Sequence, residues 1–149
     1  MKNQQVRKFR EVLRAFEREL LFQVNANACG VTIAQCHALM EVEKSRQTKV
    51  GDLAKTMSLD KSTISRTVDG LVRIGLVKRT IPEENRRTTY IHLTNRGTEV
   101  CNSINDENDF YFNDLLNSLT EGELNPFLKG FEKVTNKMRM LNNKIKDNE

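Results

Sequence analysis

The sequence predicts a mainly α-helical chain with one small antiparallel β-hairpin, and three observations carry that prediction. Apolar residues recur at spacings of three and four along most of the chain, the period of a helix with one buried face. Only two runs are β-rich instead, LVKRT at 76–80 and TTYIHLT at 88–94, and they flank the polar loop IPEENRR. Thr32, Asp60, Thr94 and Thr120 stand just ahead of periodic segments, where their side chains can cap a helix N-terminus. A chain of 149 residues is one domain, or two small ones sharing a core.

The first helix is expected over Asn3 to Asn25, with Phe9, Val12, Leu13, Phe16, Leu20 and Val24 on one face. NANACG breaks it at Gly30. Thr32 caps the second helix, whose inner set is Ile33, Cys36, Leu39, Met40 and Glu43. SRQTKV is an extended connector. Thr48 is expected to cap a short third helix, Lys49 to Met57, with Val50, Leu53, Ala54 and Met57 inward. A tight turn, SLD, leads to Asp60 as N-cap of a fourth helix ending at Ile74. Ile64, Val68, Leu71 and Val72 are its buried positions, and Gly75 closes it. After the hairpin, Thr94 caps a fifth helix to Ser118, striped by Val100, Ile104, Tyr111, Leu115 and Leu119 and widened by Cys101, Phe112 and Leu116. Thr120 and Glu123 form a capping box for the last helix, whose apolar set runs from Leu124 through Phe127, Phe131, Val134, Met138 and Leu141 to Ile145. Pro126 predicts a kink in it, or a restart at Asn125.

The net charge of +4 is unevenly placed. Lys49 to Glu99 holds ten Lys/Arg and six Asp/Glu, and the remainder carries fourteen of each. A basic middle between neutral ends fits an anionic partner met by that middle. No apolar run approaches the ~18 residues of a membrane span, and the polar, cationic N-terminus has no secretory h-region. Three cysteines, Cys29, Cys36 and Cys101, make an odd set without CxxC spacing, so a reduced, cytoplasmic setting is expected.

Two short helices, a turn, and a hairpin make a winged helix-turn-helix, and its chemistry fits double-stranded DNA. A major groove about 12 Å wide admits one helix, docked by its N-terminal end. Short side chains there let the backbone approach, and free N–H groups favour phosphate. Lys61, Ser62, Thr63, Ser65 and Arg66 meet those demands, and Arg66 is long enough for a bidentate pair with guanine. Asp69 is expected to pair with a nearby arginine. Thr48 and Lys49 join the DNA-binding set at the start of helix three. Lys78 and Arg79 on the first hairpin strand, and Arg86 and Arg87 at its tip, form the wing's contribution, with a tip arginine suited to a narrow minor groove.

The stretch from Thr48 to Gly97 resembles the winged-helix core of the MarR family of bacterial transcription regulators. The resemblance is carried by VGDLAKTMSLDKSTISRTVDGL, by GLVKR entering the wing and by IHLTNRG leaving it, with VTIAQCHALMEV similar to the family's second helix. It implies a homodimer, usually a repressor, reading a near-palindromic operator, with ligand or oxidation altering the spacing of the two reading heads; release by a small molecule is expected here. It also implies a helical dimerisation region at 1–30 and 98–149 around a DNA-binding domain at 31–97. The apolar stripe of the last helix supports dimerisation without the resemblance, being longer than one small winged domain covers. An intramolecular pairing of the last two helices would leave the first helix without a partner. The chain departs from the family at the wing tip, where an Asp-x-Arg element is common and Asn85, Arg86 and Arg87 stand here. Glu83 or Glu84 is left to supply the carboxylate.

Two other readings stay open at this stage, a thiol-sensing repressor and a winged-helix protein-interaction module without DNA binding. Cys29 is the candidate redox thiol, because it precedes the Thr32 cap. Cys36 and Cys101, at helical spacing from apolar residues, read as core. His37 and His92 have no ligand partner at zinc spacing, so no metal and no cofactor are expected. No nucleophile–base set, phosphate loop or paired-carboxylate motif points to an enzyme.

Overall fold

The computed structural model describes residues 2–26 and 30–147. Cys29 therefore lies outside the described residues, as does the side chain of Val24. The elements in order are α1 (Lys2–Ala26), α2 (Ile33–Ser45), β1 (Gln47–Thr48), α3 (Val50–Met57), α4 (Lys61–Arg73), β2 (Val77–Thr80), β3 (Tyr90–Leu93), α5 (Asn95–Leu116) and α6 (Glu121–Lys146). The strands form one antiparallel sheet in the order β1-β3-β2.

Local chemistry sets most boundaries. Thr32 Oγ1 accepts the Gln35 N–H while the Gln35 side chain accepts the Thr32 N–H, a complete capping box. Thr120 and Glu123 repeat the device at α6. Gly30 and Gly75 have φ of +74° and +76°, backbone that glycine adopts without a Cβ penalty. Ile33, expected inward on α2, is 44 % exposed, and two further expectations change. Thr48 does not cap α3; it pairs with Ile91 as part of β1, and Lys49 holds the N-cap position without a side-chain bond. The expected connector is thus a third strand, which ties the start of α3 to the wing. Val72 is 37 % exposed rather than buried, because the inner face of α4 is already filled by Ile64, Val68 and Leu71.

The core draws on every element from α2 to the first three turns of α5 except β1: Leu39 and Val42, Leu53, Ile64 and Leu71, Val77, Ile91, and Cys101 with Ile104. Neither α1 nor α6 contributes a buried residue among the described side chains. Their apolar stripes do meet, with Phe16 edge-on to Phe131 at 6.4 Å between centroids and Phe127 stacked on Phe131 at 5.8 Å. So the first helix has an intramolecular partner after all, yet Phe131 remains 51 % exposed. In α5, Leu115 is likewise exposed, while Tyr111 and Phe112 are half-buried and edge-to-face. α6 runs uninterrupted through Pro126, so no restart occurs at Asn125. The hydrogen bond that Pro126 cannot make would have gone to the carbonyl of Gly122, an exposed residue open to solvent.

Three bonds at Thr94 lock the wing to the helices. Its N–H donates to the Leu76 carbonyl at 3.0 Å, its hydroxyl donates to the Gly75 carbonyl at 2.6 Å, and Oγ1 accepts the Gly97 N–H at 3.0 Å. One residue thereby joins the end of α4, the start of β2 and the first turn of α5. Arg96 adds a bond to the Ile74 carbonyl at 3.3 Å.

Candidate nucleic-acid interface

The N-terminal end of α4 is organised by Asp60. Its Oδ1 accepts the Thr63 N–H at 2.8 Å and the Ser62 hydroxyl at 2.5 Å, and its Oδ2 accepts the Thr63 hydroxyl at 2.6 Å. The Ser62 hydroxyl first, then the Thr63 hydroxyl and N–H, hold the Asp60 carboxyl well below the usual carboxylate range. An acid at this end is thus consumed by its own helix. The cost is that the hydroxyl protons of Ser62 and Thr63 are committed, so both side chains offer acceptor lone pairs to a ligand. Lys61, Ser62 and Arg66 are exposed, with Thr63 and Ser65 half-buried beside them. The Arg66 Nε donates to the Ser62 carbonyl at 3.4 Å. That contact aligns the side chain toward the helix N-terminus and leaves its terminal N–H fork available.

The wing root is fixed to the same region. Arg79 on β2 and Asp69 on α4 form an ion pair at 2.5 Å, which is the pairing expected for Asp69 and which engages one of the wing cations. Lys49 lies over the Tyr90 ring at 5.5 Å, a cation–π contact between the start of α3 and β3. His92 sits between buried Ile91 and half-buried Leu93 and shares a hydrogen bond with the Thr80 hydroxyl at 2.7 Å. Lys78 is exposed on β2.

At the tip, two turns follow each other, with Asn85 N–H to the Pro82 carbonyl and Thr88 N–H to the Asn85 carbonyl. Asn85 Oδ1 accepts the Arg87 N–H at 3.2 Å, so the amide braces the tip through the backbone, as an Asx turn does. Glu83 and Glu84 form no ion pair with Arg86 or Arg87 among the described residues, and both arginines are exposed.

The remaining candidates are less prepared for chemistry. Cys101 is fully buried, and burial, then Glu43 and Cys36, push its thiol up to about 11. Cys36 is half-buried, and burial raises its thiol too. Glu43 accepts both bonds it makes from Asn105 of α5, at 3.1 and 3.2 Å, which binds α2 to α5. Among the described residues, no three His, Cys, Asp or Glu side chains gather where a metal ion would sit. No described helix is long and apolar enough to cross a membrane.

Two residues missed in the sequence belong beside the α4 end. Lys55 on α3 and Lys146 on α6 border the same groove as Lys61. Lys55 was legible as an exposed helix position; Lys146 was not, since only the return of α6 brings it there.

A helix pair crossed by a braced β-hairpin, with a hydroxyl and cation face at the second helix's start, defines a winged helix-turn-helix protein. The MarR family model matches residues 31–89, the winged-helix segment of this chain. The HTH-type transcriptional regulator SarZ of Staphylococcus epidermidis is 27 % identical over 114 residues, covering 72 % of this chain and 77 % of that protein. The HTH-type transcriptional regulator YsmB of Bacillus subtilis is 25 % identical over 128 residues, covering 86 % and 84 % respectively. Among solved structures, Streptococcus pneumoniae FabT in complex with DNA superposes with a TM-score of 0.79 at 18 % identity, over 91 % of this chain and 98 % of FabT. A MarR family protein from Bacillus stearothermophilus gives 0.76 at 23 % identity, over 93 % and 98 %. These two likenesses concern the fold, a mainly helical chain with a small antiparallel sheet.

Proposed function

We propose that this chain is a sequence-specific DNA-binding transcription regulator, acting as a homodimer that represses from a near-palindromic operator and is released by a small molecule. The observation that carries the reading is the end of α4. Lys61 and Arg66 are exposed there, and the acid at that helix end, Asp60, is occupied by Ser62 and Thr63. α4 enters the major groove by that end, Arg66 reads a base edge, and Arg86 and Arg87 address the minor groove. Lys78, Thr48 and Lys49 add contacts at the flanks, and Arg79 holds the wing to Asp69 while facing the backbone. The named relatives are HTH-type transcriptional regulators, and FabT is bound to DNA, which supports the same reading.

Residues 1–30 and 98–149 are assigned to dimerisation and 31–97 to DNA binding, with α5 joining the two, since Cys101 and Ile104 pack into the winged-helix core. The apolar stripes of α1 and α6, still half exposed after they meet each other, are the surface a second copy would cover. Burial of Cys101 and the half-buried position of Cys36 speak against sensing by those two thiols.

The test is equilibrium binding to duplex DNA across a salt series. Affinity should fall steeply with salt, by a slope of about 0.9 per phosphate neutralised. Arg66→Ala should lower the ratio of specific to non-specific affinity by about 5- to 150-fold, the equivalent of roughly 1–3 kcal/mol at a bidentate pair. A salt-insensitive interaction would point to a protein partner, and an unchanged ratio would remove Arg66 from base reading.

A further inference from the structure

We propose that the last turn of α6 is part of the DNA-contacting surface, with Lys146 joining Lys55 and Lys61 in a cationic groove that takes a backbone phosphate beside the docking end of α4. The proposal rests on the DNA-binding reading above. It begins from an unexpected proximity. Lys146, 88 residues from Ser58, donates from Nζ to the Ser58 carbonyl in the turn between α3 and α4. A groove of about 510 Å³ opens there, bordered by Gly51 and Lys55 of α3, Lys61 of α4, and Asn143 with Lys146 of α6.

Its charge is one-sided. Three lysines line it against one carboxylate, that of Asp60, whose two oxygens are taken by Ser62 and Thr63. Among the described residues, none of the three lysines has an ion-pair partner within 4 Å. A Cβ added at Gly51 would lie 3.5 Å from Lys61 Cε and 3.8 Å from its Nζ. The Lys61 stem therefore crosses the first turn of α3, which carries its ammonium toward the groove. An ammonium has three donors, and the bond to Ser58 uses one of those on Lys146. The Ser58 bond fixes the position of the charge without neutralising it.

The position selects the occupant. The groove adjoins the end of α4 that enters the major groove, and the strand bordering a major groove presents phosphates, not bases, to whatever flanks the helix. Lysine meets phosphate as a compact point charge and carries no sequence preference of its own. α6 also bears the exposed stripe assigned to dimerisation, so this contact would tie the dimer region to the DNA backbone within one protomer.

The experiment is binding to a specific duplex and a scrambled duplex from about 50 to 200 mM salt, for wild type, Lys146→Ala, Lys146→Gln and Lys146→Arg. Lys146→Ala and Lys146→Gln should each shrink the salt slope by about 0.9 and weaken both duplexes by the same factor, while Lys146→Arg keeps the slope. Glutamine can still donate to the Ser58 carbonyl but has no charge. A Lys146→Gln variant that matches wild type, or an affinity loss in Lys146→Ala with no change in slope, would reduce Lys146 to a structural tether and overturn the proposal. Wild-type binding without salt dependence would instead overturn the DNA-binding reading itself.

Discussion

Replacing Gly97 by alanine should be the tightest-fitting of the glycine-to-alanine changes, because its added methyl meets backbone closest. Gly97 lies in the first turn of α5, over the start of the wing. A Cβ there would fall 1.9 Å from the Leu76 carbonyl oxygen and 2.9 Å from its carbon. Both are backbone atoms, so no side chain can swing aside. Relief requires α5 to retreat by about 1 Å or more, and overpacking of this kind costs about 1–3 kcal/mol. The retreat also pulls on the bonds that Thr94 makes to Gly75 and Leu76, each worth about 0.5–1.5 kcal/mol. Together these effects amount to roughly 2–6 kcal/mol. At about 2–4 °C per kcal/mol for a chain of this size, the melting midpoint should drop by about 4–24 °C. Gly130, exposed in α6 with nothing within 4 Å of an added Cβ, is the control. Gly130→Ala should stabilise by about 0.5–1 kcal/mol through helix propensity alone. Thermal unfolding followed by circular dichroism reads both. A Gly97→Ala midpoint within a degree of wild type would refute the packing argument.

Other consequences follow from the same geometry. Phe131→Glu places a charge between Phe16 and Phe127 on the exposed stripe, so sedimentation should show wild-type dimer and mutant monomer; a wild-type monomer would remove the stripe from dimerisation. The Asp60 carboxyl is depressed in the folded state, so its contribution is present above the unfolded carboxylate pKa and lost as pH falls below about 4. Asp60→Asn should therefore lower the melting midpoint at pH 7 and narrow its gap to wild type below pH 4, and a constant gap would show that the charge is irrelevant. Native Cys101 should resist alkylation at pH 8, because its thiol titrates at about 11, and should react fully once the chain is unfolded; rapid labelling of the native protein in a variant lacking the other cysteines would contradict its burial.

What could be read in advance was what depends on neighbours in sequence. Caps at Thr32, Asp60, Thr94 and Thr120 act over three residues, and all four hold their expected positions. The inner face of α4 follows from period, except that Val72 sits at its edge, where the partners and not the spacing decide burial. β1 was hidden because two residues, Gln47 and Thr48, carry no alternation, and their pairing partners His92 and Ile91 lie more than forty positions away. The need for glycine at 97 was equally invisible, since the clashing atom belongs to Leu76. In the site, exposure of Lys61, Arg66 and the tip arginines was legible from pattern. The commitment of Arg79 to Asp69 followed from an expected pairing, whereas Lys49 over Tyr90 and Lys146 at Ser58 required the folded chain.

The most direct test of the central claim is selection of bound duplexes from a random DNA pool at low and moderate salt. A dimeric reader should recover a palindrome whose half-sites are one helical turn apart, about 34–36 Å. Recovery of no motif at either salt would contradict DNA reading by α4 and the wing.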